Sequence, residues 1–446
     1  MKRLILTLFV AASVTAFAEI YDEAVELFDG NEIEASRELF EQAYNEGNKE
    51  AALYLGRIAF LDYDFPGAAQ WYATYKKEVA GHADSPVSDY ERELNSARRM
   101  LERVQKIVLL DSITVDKDEL LGAYRLPKSA GRLLTPEAVS EITGYDLGPS
   151  GYGHSNEMGE TMIWSAADST GNQRIVESIR LIDGSWSEPM WASTVLNGSA
   201  VGEEGEEPAE YNAICPFLLD DGLTLYYASD NEESIGGLDL FLATRNSSTG
   251  DYLKPSNMGM PFNSPADDYM LAIDELNGIG WWATDRNHIP GKATIYVYML
   301  PQGRENISEE EDAVNEARIA DFQSHWTEEN DGRINELIAV IDEIDPDPFR
   351  EPDFILPIPG GSHYRFWNDF KNPKAAEAMQ TYLATAEELK AKEKELGNLR
   401  RAYHDGKKDG QTVNRIRGLE SQTEKLRETE RKQLSDIYRL EFSKNR

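Results

Sequence analysis

A segment of this chain is copied 55 residues later, and the copy limits what the middle of the molecule can fold into. Thr224-Leu225-Tyr226-Tyr227-Ala228-Ser229-Asp230 with Leu238-Asp239-Leu240-Phe241 becomes Ile279-Gly280-Trp281-Trp282-Ala283-Thr284-Asp285 with Ala293-Thr294-Ile295-Tyr296. Each copy reads as a strand, a polar loop and a second strand. A second echo, 66 positions apart, matches Gly184-Ser185-Trp186-Ser187-Glu188-Pro189 and Leu196-Asn197 with Gly250-Asp251-Tyr252-Leu253-Lys254-Pro255 and Phe262-Asn263. Short strands with aromatic punctuation at a period of roughly 40 to 50 residues are the signature of propeller blades. Blades are expected near Leu120–Leu147, Gly153–Glu188, Asn212–Pro255 and Asp267–Pro301, within a β region spanning residues 111–304.

The flanking sequence has a different period. Residues 19–110 carry helical spacing, and Ser36, Phe40 and Ala43 recur as Ala68, Tyr72 and Tyr75 at an offset of 32, with Leu55-Gly56 between them. That spacing resembles the tetratricopeptide repeat, in which small and aromatic residues let two antiparallel helices approach closely. Glu91 to Val104 supplies a further helix. Helical spacing returns over residues 305–345, with Ile319, Phe322 and Trp326 on one face and Ile334, Leu337, Ile338 and Ile341 on another, until Pro346 and Pro348 end it. Residues 346–370 hold two short strand-like runs, Asp353–Ile358 and His363–Trp367, placed to act as a hairpin that closes the sheet region and hides an edge. Residues 371–446 read as an antiparallel coiled-coil hairpin, its Leu/Ile stripe interrupted only by the turn at His404–Gly410.

Charge and leader narrow the function classes. The net charge is −35; residues 371–446 hold 18 Lys and Arg against 13 Asp and Glu, a balance of +5 that leaves −40 for residues 1–370. An acidic body of that size repels nucleic acid and anionic lipid and favours basic partners. Residues 1–18 read as a signal peptide, with Met1-Lys2-Arg3, an apolar run and Ala16-Phe17-Ala18, so the mature chain is expected to start near Glu19 in the periplasm. The apolar run is shorter than the ~20 residues a membrane span needs. The single Cys215 excludes an internal disulfide and reads as a small core residue.

Catalytic constellations do not emerge. There is no Gly-x-Ser-x-Gly elbow, Walker loop, His-Glu-x-x-His or paired Cys, and the six His residues are scattered. No catalytic, cofactor or metal residue is therefore assigned. Asp220-Asp221-Gly222 fits the turn before a strand, where Asp bonds the backbone and Gly takes positive φ. Asp230, Asp285 and Asp239 mark strand ends. These carboxylates read first as turn caps, with a Ca²⁺-binding ring about a central channel as the alternative.

The segment Pro216-Phe217 through Asp220-Asp221-Gly222-Leu223-Thr224-Leu225-Tyr226-Tyr227-Ala228-Ser229-Asp230 and Gly236-Gly237-Leu238-Asp239-Leu240-Phe241 resembles the WD40-like repeat of TolB-type β-propellers. With Pro255-x-Asn257-Met258-Gly259 and Pro261-Phe262-Asn263-Ser264-Pro265 it is similar to exported tetratricopeptide–propeller proteins of the Gram-negative envelope, some linked to type IX secretion. The later copy departs in having Gly291-Lys292 where the pattern has Gly-Gly, and the chain ends in a coiled coil instead of an OmpA-like domain. The resemblance implies a non-enzymatic periplasmic scaffold, associated with the outer membrane in some relatives, that binds protein partners. The alternatives are a propeller that binds or hydrolyses a peptide or glycan, and a component of an outer-membrane secretion complex. Apart from the resemblance, the narrow Leu/Ile stripe of the C-terminal hairpin points to docking or self-association, with a monomeric spacer hairpin as the alternative.

Overall fold

The computed structural model describes residues 19–79, 85–145, 151–199, 209–307, 310–345, 353–358, 363–404, 406 and 408–442. The leader at 1–18 and the acidic run at 203–207 lie outside the described residues. The chain divides into two compact units, Met1–Phe349 and Arg350–Arg446.

The first unit begins with helices: α1 (19–29), α2 (Ile33–Asn45), α3 (Ala51–Leu61), α4 (Phe65–Glu78) and α5 (Val87–Leu101). Asp64 caps α4 by accepting from the Gly67 amide at 2.9 Å, and Pro66 sits in the first turn, where its missing N–H costs nothing. The offset of 32 seen in sequence has a packing basis. Ser36, Phe40 and Ala43 are the buried face of α2, and Ala68, Tyr72 and Tyr75 belong to that of α4. Gly56 lets α3 approach α4: a Cβ there would lie 2.4 Å from the Tyr72 ring. Phe40 stacks on Tyr54 at 4.5 Å, tying α2 to α3.

Three antiparallel sheets follow. β1 (Val108–Asp116), α6 (Leu120–Ala123), β2 (Arg132–Leu134) and α7 (Pro136–Thr143) precede the first meander, which is β3 (Gly153–Ser155), β4 (Thr161–Ala167), β5 (Gln173–Ile179) and β6 (Met190–Trp191). After α8 (Thr194–Asn197) comes the second meander: β7 (Ala213–Leu218), β8 (Thr224–Ser229), β9 (Asp239–Thr244) and β10 (Ser256–Asn257). The third holds β11 (Asp268–Asp274), β12 (Ile279–Thr284) and β13 (Lys292–Met299). The strand orders are β2-β3-β4-β5-β6, β7-β8-β9-β10 and β11-β12-β13-β1. The fourth strand of the last sheet is thus taken from far earlier in the chain, Val108 pairing with Met299 and Asp116 with Lys292.

Both echoes are structural. The 55-residue offset superposes β7 on β11 and β8 on β12, down to a bulge that places Cys215 and Met270 at φ 51° and 53°. The 66-residue offset aligns β5 with β9 and β6 with β10, and explains the repeated Asn. Asn197 accepts from the Ile175 amide (2.8 Å) and donates to its carbonyl (2.9 Å); Asn263 does the same to Leu240 (2.7 and 2.9 Å). Each buried amide satisfies the strand N–H and adds a second donor to a carbonyl that also accepts from the Ala192 or Met258 amide, and so ties the chain after the meander to that meander's third strand. Gly236 is required by the close approach of the next loop, since a Cβ would meet the Ser264 carbonyl at 2.3 Å.

The tandem aromatics fill the spaces between sheets. Tyr227 packs with Ile163 of the first sheet, whereas Tyr226 faces the cluster shared with the third. Their counterparts Trp281 and Trp282 are 1% and 0% exposed, and Trp282 sits among Phe262, Tyr296 and Tyr298 with ring centroids 5.1 to 5.4 Å apart in that group.

Three expectations change. Residues 120–145 do not make a blade of their own: they hold short helices and the three-residue β2, which extends the first sheet. Thr135 and Pro136 start α7 by a side-chain cap and a preset φ, so local capping prevails over the strand pattern. The helical run over 305–345 is two helices, α9 (Glu310–Arg318) and α10 (Asp331–Glu343), because Ile319 turns to φ 55°. Ala313 and Ala317 pack with the N-terminal helices, and Ile334, Leu337 and Ile341 with the third sheet. The supposed closing hairpin forms as β14 (Leu356–Pro357) with β15 (His363–Tyr364), but these strands pair only with each other among the described residues. Leu356 of β14 and the preceding Phe354 pack on Met379 and Ile437 within the second unit, and β1 takes the edge of β13 instead.

The second unit is that short hairpin with two long helices, α11 (Pro373–His404) and α12 (Gly410–Phe442). The helices run antiparallel, as Glu393 near the middle of α11 pairs with Arg427 and Arg400 further along it pairs with the earlier Glu420 of α12. No helix among the described residues is long and apolar enough to cross a membrane.

Candidate binding site at the sheet mouth

The first strand of each meander ends in a turn, and the turn needs a polar residue. After β3 this is Glu157, after β7 Asp220 and after β11 Glu275, positions related by 63 and 55 residues. The sheets pack so that all three carboxylates line one cavity of about 460 Å³, with Phe217, Leu219, Ile273 and Ala130 as its apolar wall and Leu276 80% exposed at its edge. No Lys or Arg among the described residues lines it. Partial burial, then repulsion from Glu157 and Asp221, raises Asp220 above the usual Asp range, while the Glu157 backbone amide offsets part of the rise. Burial, then repulsion from Asp221 and Asp220, raises Glu275. The mouth therefore holds like charges that an incoming cation would relieve.

Two further cavities adjoin this mouth through shared lining residues. One of about 370 Å³ shares Leu219, Ile273 and Glu275 with it and is lined by Tyr226, Leu242, Phe262 and Tyr298. That cavity in turn shares Asn257, Met258 and Arg304 with an open groove of about 960 Å³. Arg92, Arg99, Arg103 and Arg304 border the groove together with Glu102, Glu232 and Glu233. Its floor is stiffened from below. Asn257 donates to Asp239 Oδ2 (2.6 Å), and its own carbonyl oxygen accepts from Asn263 and the Gly259 amide, both at 2.8 Å.

The other acidic residues singled out in the sequence do structural work. Asp221 accepts from the Leu223 and Thr224 amides and the Thr224 hydroxyl, an Asx turn in front of β8, with Gly222 at φ 66°. Asp230 holds the Asn212 amide and side chain, and its counterpart Asp285 accepts from Lys117 (2.6 Å) and Tyr269 (3.0 Å). Asp239 is fully buried, and burial holds its carboxyl well above the usual range. Asp268, also buried, pairs with Arg286 at 2.8 Å. No group of three or more His, Cys, Asp or Glu side chains among the described residues is arranged to hold a metal ion.

Cys215 is a core residue, 7% exposed, with burial pushing its thiol up to about 12. His154 is buried against Phe217 at 4.2 Å and hydrogen-bonded to the Ala130 carbonyl; burial lowers it to about 4. Of the mouth residues, the sequence singled out Asp220 only as a turn former, and neither Glu157 nor Glu275. The signal was present in the offsets of 63 and 55, but the first repeat is too divergent to align before its strands are known. Comparison of the chain with protein-family models, curated proteins and solved structures gave no match.

Proposed function

We infer that this protein is a non-enzymatic binding scaffold whose sheet mouth receives a basic segment of a partner protein. The observation that carries this is the convergence of Glu157, Asp220 and Glu275, one from each repeat, on an apolar-walled cavity with no Lys or Arg among its described lining residues. A Lys or Arg head would pair with the carboxylates while its methylene stem lies on Phe217 and Ile273. Three carboxylates spread around a cavity of that size suit a ligand side chain better than one small ion, whose oxygen ligands must cluster at about 2.3 to 2.6 Å. In this reading the three sheets are blades of the propeller type, the N-terminal hairpins are tetratricopeptide-like, and α11 with α12 forms a coiled-coil association arm. Residues 1–18 would direct the chain to the periplasm, where its partners are envelope proteins, a secretion complex among them. The reading assigns binding and no catalytic step.

Fluorescence polarisation of labelled peptides carrying Lys or Arg among apolar residues tests it on the full chain. Binding should weaken at least tenfold in the Glu157→Gln/Asp220→Asn/Glu275→Gln variant and fall with added salt. Equal binding by the variant, or no preference for Lys and Arg over neutral peptides, would overturn it.

A further inference from the structure

The three cavities adjoin through shared lining residues and together make a trough with a charge sequence: carboxylates at the mouth, an aromatic and aliphatic middle, and at the far end four arginines against Glu102, Glu232 and Glu233. Charge, shape and continuity together specify more than a basic ligand. We propose that the trough binds an extended segment of a partner protein in one fixed order, with a basic residue in the mouth, apolar residues against Tyr226 and Phe262, and an acidic residue at Arg99, Arg103 and Arg304. This rests on the mouth being a basic-segment site and adds the opposite end and the polarity.

The arginine end holds four Arg against Glu102, Glu232 and Glu233, a small positive excess on a chain of net charge −35. Such a body repels a uniformly anionic polymer or membrane at long range, and Glu232 and Glu233 repel it at the groove itself. A single carboxylate on a mixed-charge peptide avoids that penalty and gains charge-assisted hydrogen bonds to guanidinium groups. β10, whose Asn257 lines both groove and middle cavity, is an edge strand pairing only with β9 among the described residues. An extended chain laid along it meets main-chain partners as well as side-chain pockets. The hydrogen-bonded floor of Asn257, Asn263 and Asp239 holds this edge in place before the ligand arrives.

The test is selection of a phage-displayed random peptide library on the full chain and on two variants, each checked for an unchanged melting temperature. Wild type should enrich peptides with Lys or Arg and Asp or Glu on opposite sides of apolar residues, in one order. Arg99→Ser/Arg103→Ser/Arg304→Ser should keep the demand for Lys or Arg and lose that for Asp or Glu. The mouth variant Glu157→Gln/Asp220→Asn/Glu275→Gln should do the reverse. The exposed single change Arg103→Ser, the mildest for folding, should weaken selected peptides several-fold and leave their charge-neutralised analogues unaffected. Enrichment of Lys or Arg with no preference for Asp or Glu, or with both orders equally, would overturn the trough while leaving the mouth standing. Loss of the Lys or Arg preference itself would remove both.

Discussion

The sheet region and the C-terminal helical hairpin solve the problem of holding a chain together in opposite ways. In the sheets, large aromatics are enclosed and polar groups are spent on locks: Trp164, Tyr227 and Trp282 occupy equivalent strand positions at 0 to 1% exposure, and Asn197 and Asn263 each bind both backbone groups of one strand residue. The hairpin buries little. Of 32 residues in α11 only Ala375, Met379, Leu389 and Leu396 are buried, and its ion pairs stand in solvent. Concentrated burial fixes a rigid surface on which a site can be built, whereas a narrow stripe with exposed charges gives a long, adaptable arm.

The contrast is most easily broken at Trp282. Trp282→Ala should destabilise the sheet unit by about 3 to 5 kcal/mol, because the cavity left among Phe262, Tyr296 and Tyr298 cannot close. Urea unfolding followed by tryptophan fluorescence measures it; an unchanged midpoint would mean that the aromatic layer is not what holds the sheets. Next come the loop locks. Asn197→Ala and Asn263→Ala each strand a buried backbone N–H, that of Ile175 or Leu240, and should cost about 1 to 3 kcal/mol apiece. Similar losses would show that the repeated Asn is one device used twice.

Asp239 sharpens the comparison through pH. Its folded pKa is raised by burial above the ordinary value of 3.8, so the folded state holds the proton more tightly. Its contribution is complete below the unfolded pKa and is lost as pH rises toward the folded one, at on the order of 1 kcal/mol per pH unit. Asp239→Asn, which does not titrate, should give a flatter stability profile above about pH 4 than wild type in denaturant titrations. Parallel profiles would contradict the assignment. The smallest effect belongs to the hairpin: Arg427→Ser, which removes the pair to Glu393, should change stability by less than about 1 kcal/mol, because both side chains are half exposed.

What could be read beforehand follows the same division. The offsets of 55 and 66 were legible because Gly, Asn and aromatic residues at those positions have local duties: a close approach at Gly236, a strand lock at Asn263, an inter-sheet filling at Trp282. The buried faces of α2 and α4 were legible from Phe40 and Tyr72 for the same reason. The pairing of β1 with β13 was not, because nothing local marks a strand whose partner lies some 180 residues away. The mouth was missed because Glu157, Asp220 and Glu275 look like ordinary turn residues until the packing of three sheets brings them to one cavity.

Site-specific photocrosslinking in the native cell tests most directly whether the sheet mouth, and not the arm, carries the binding function. A photoreactive residue at Leu276, on the rim of the mouth, should crosslink a partner protein, and the band should vanish when Glu157, Asp220 and Glu275 are neutralised in the same chain. The same probe at Tyr403 of α11 should give crosslinks that this neutralisation leaves unchanged. Crosslinks from Tyr403 with none from Leu276, or Leu276 crosslinks indifferent to the three carboxylates, would contradict the account.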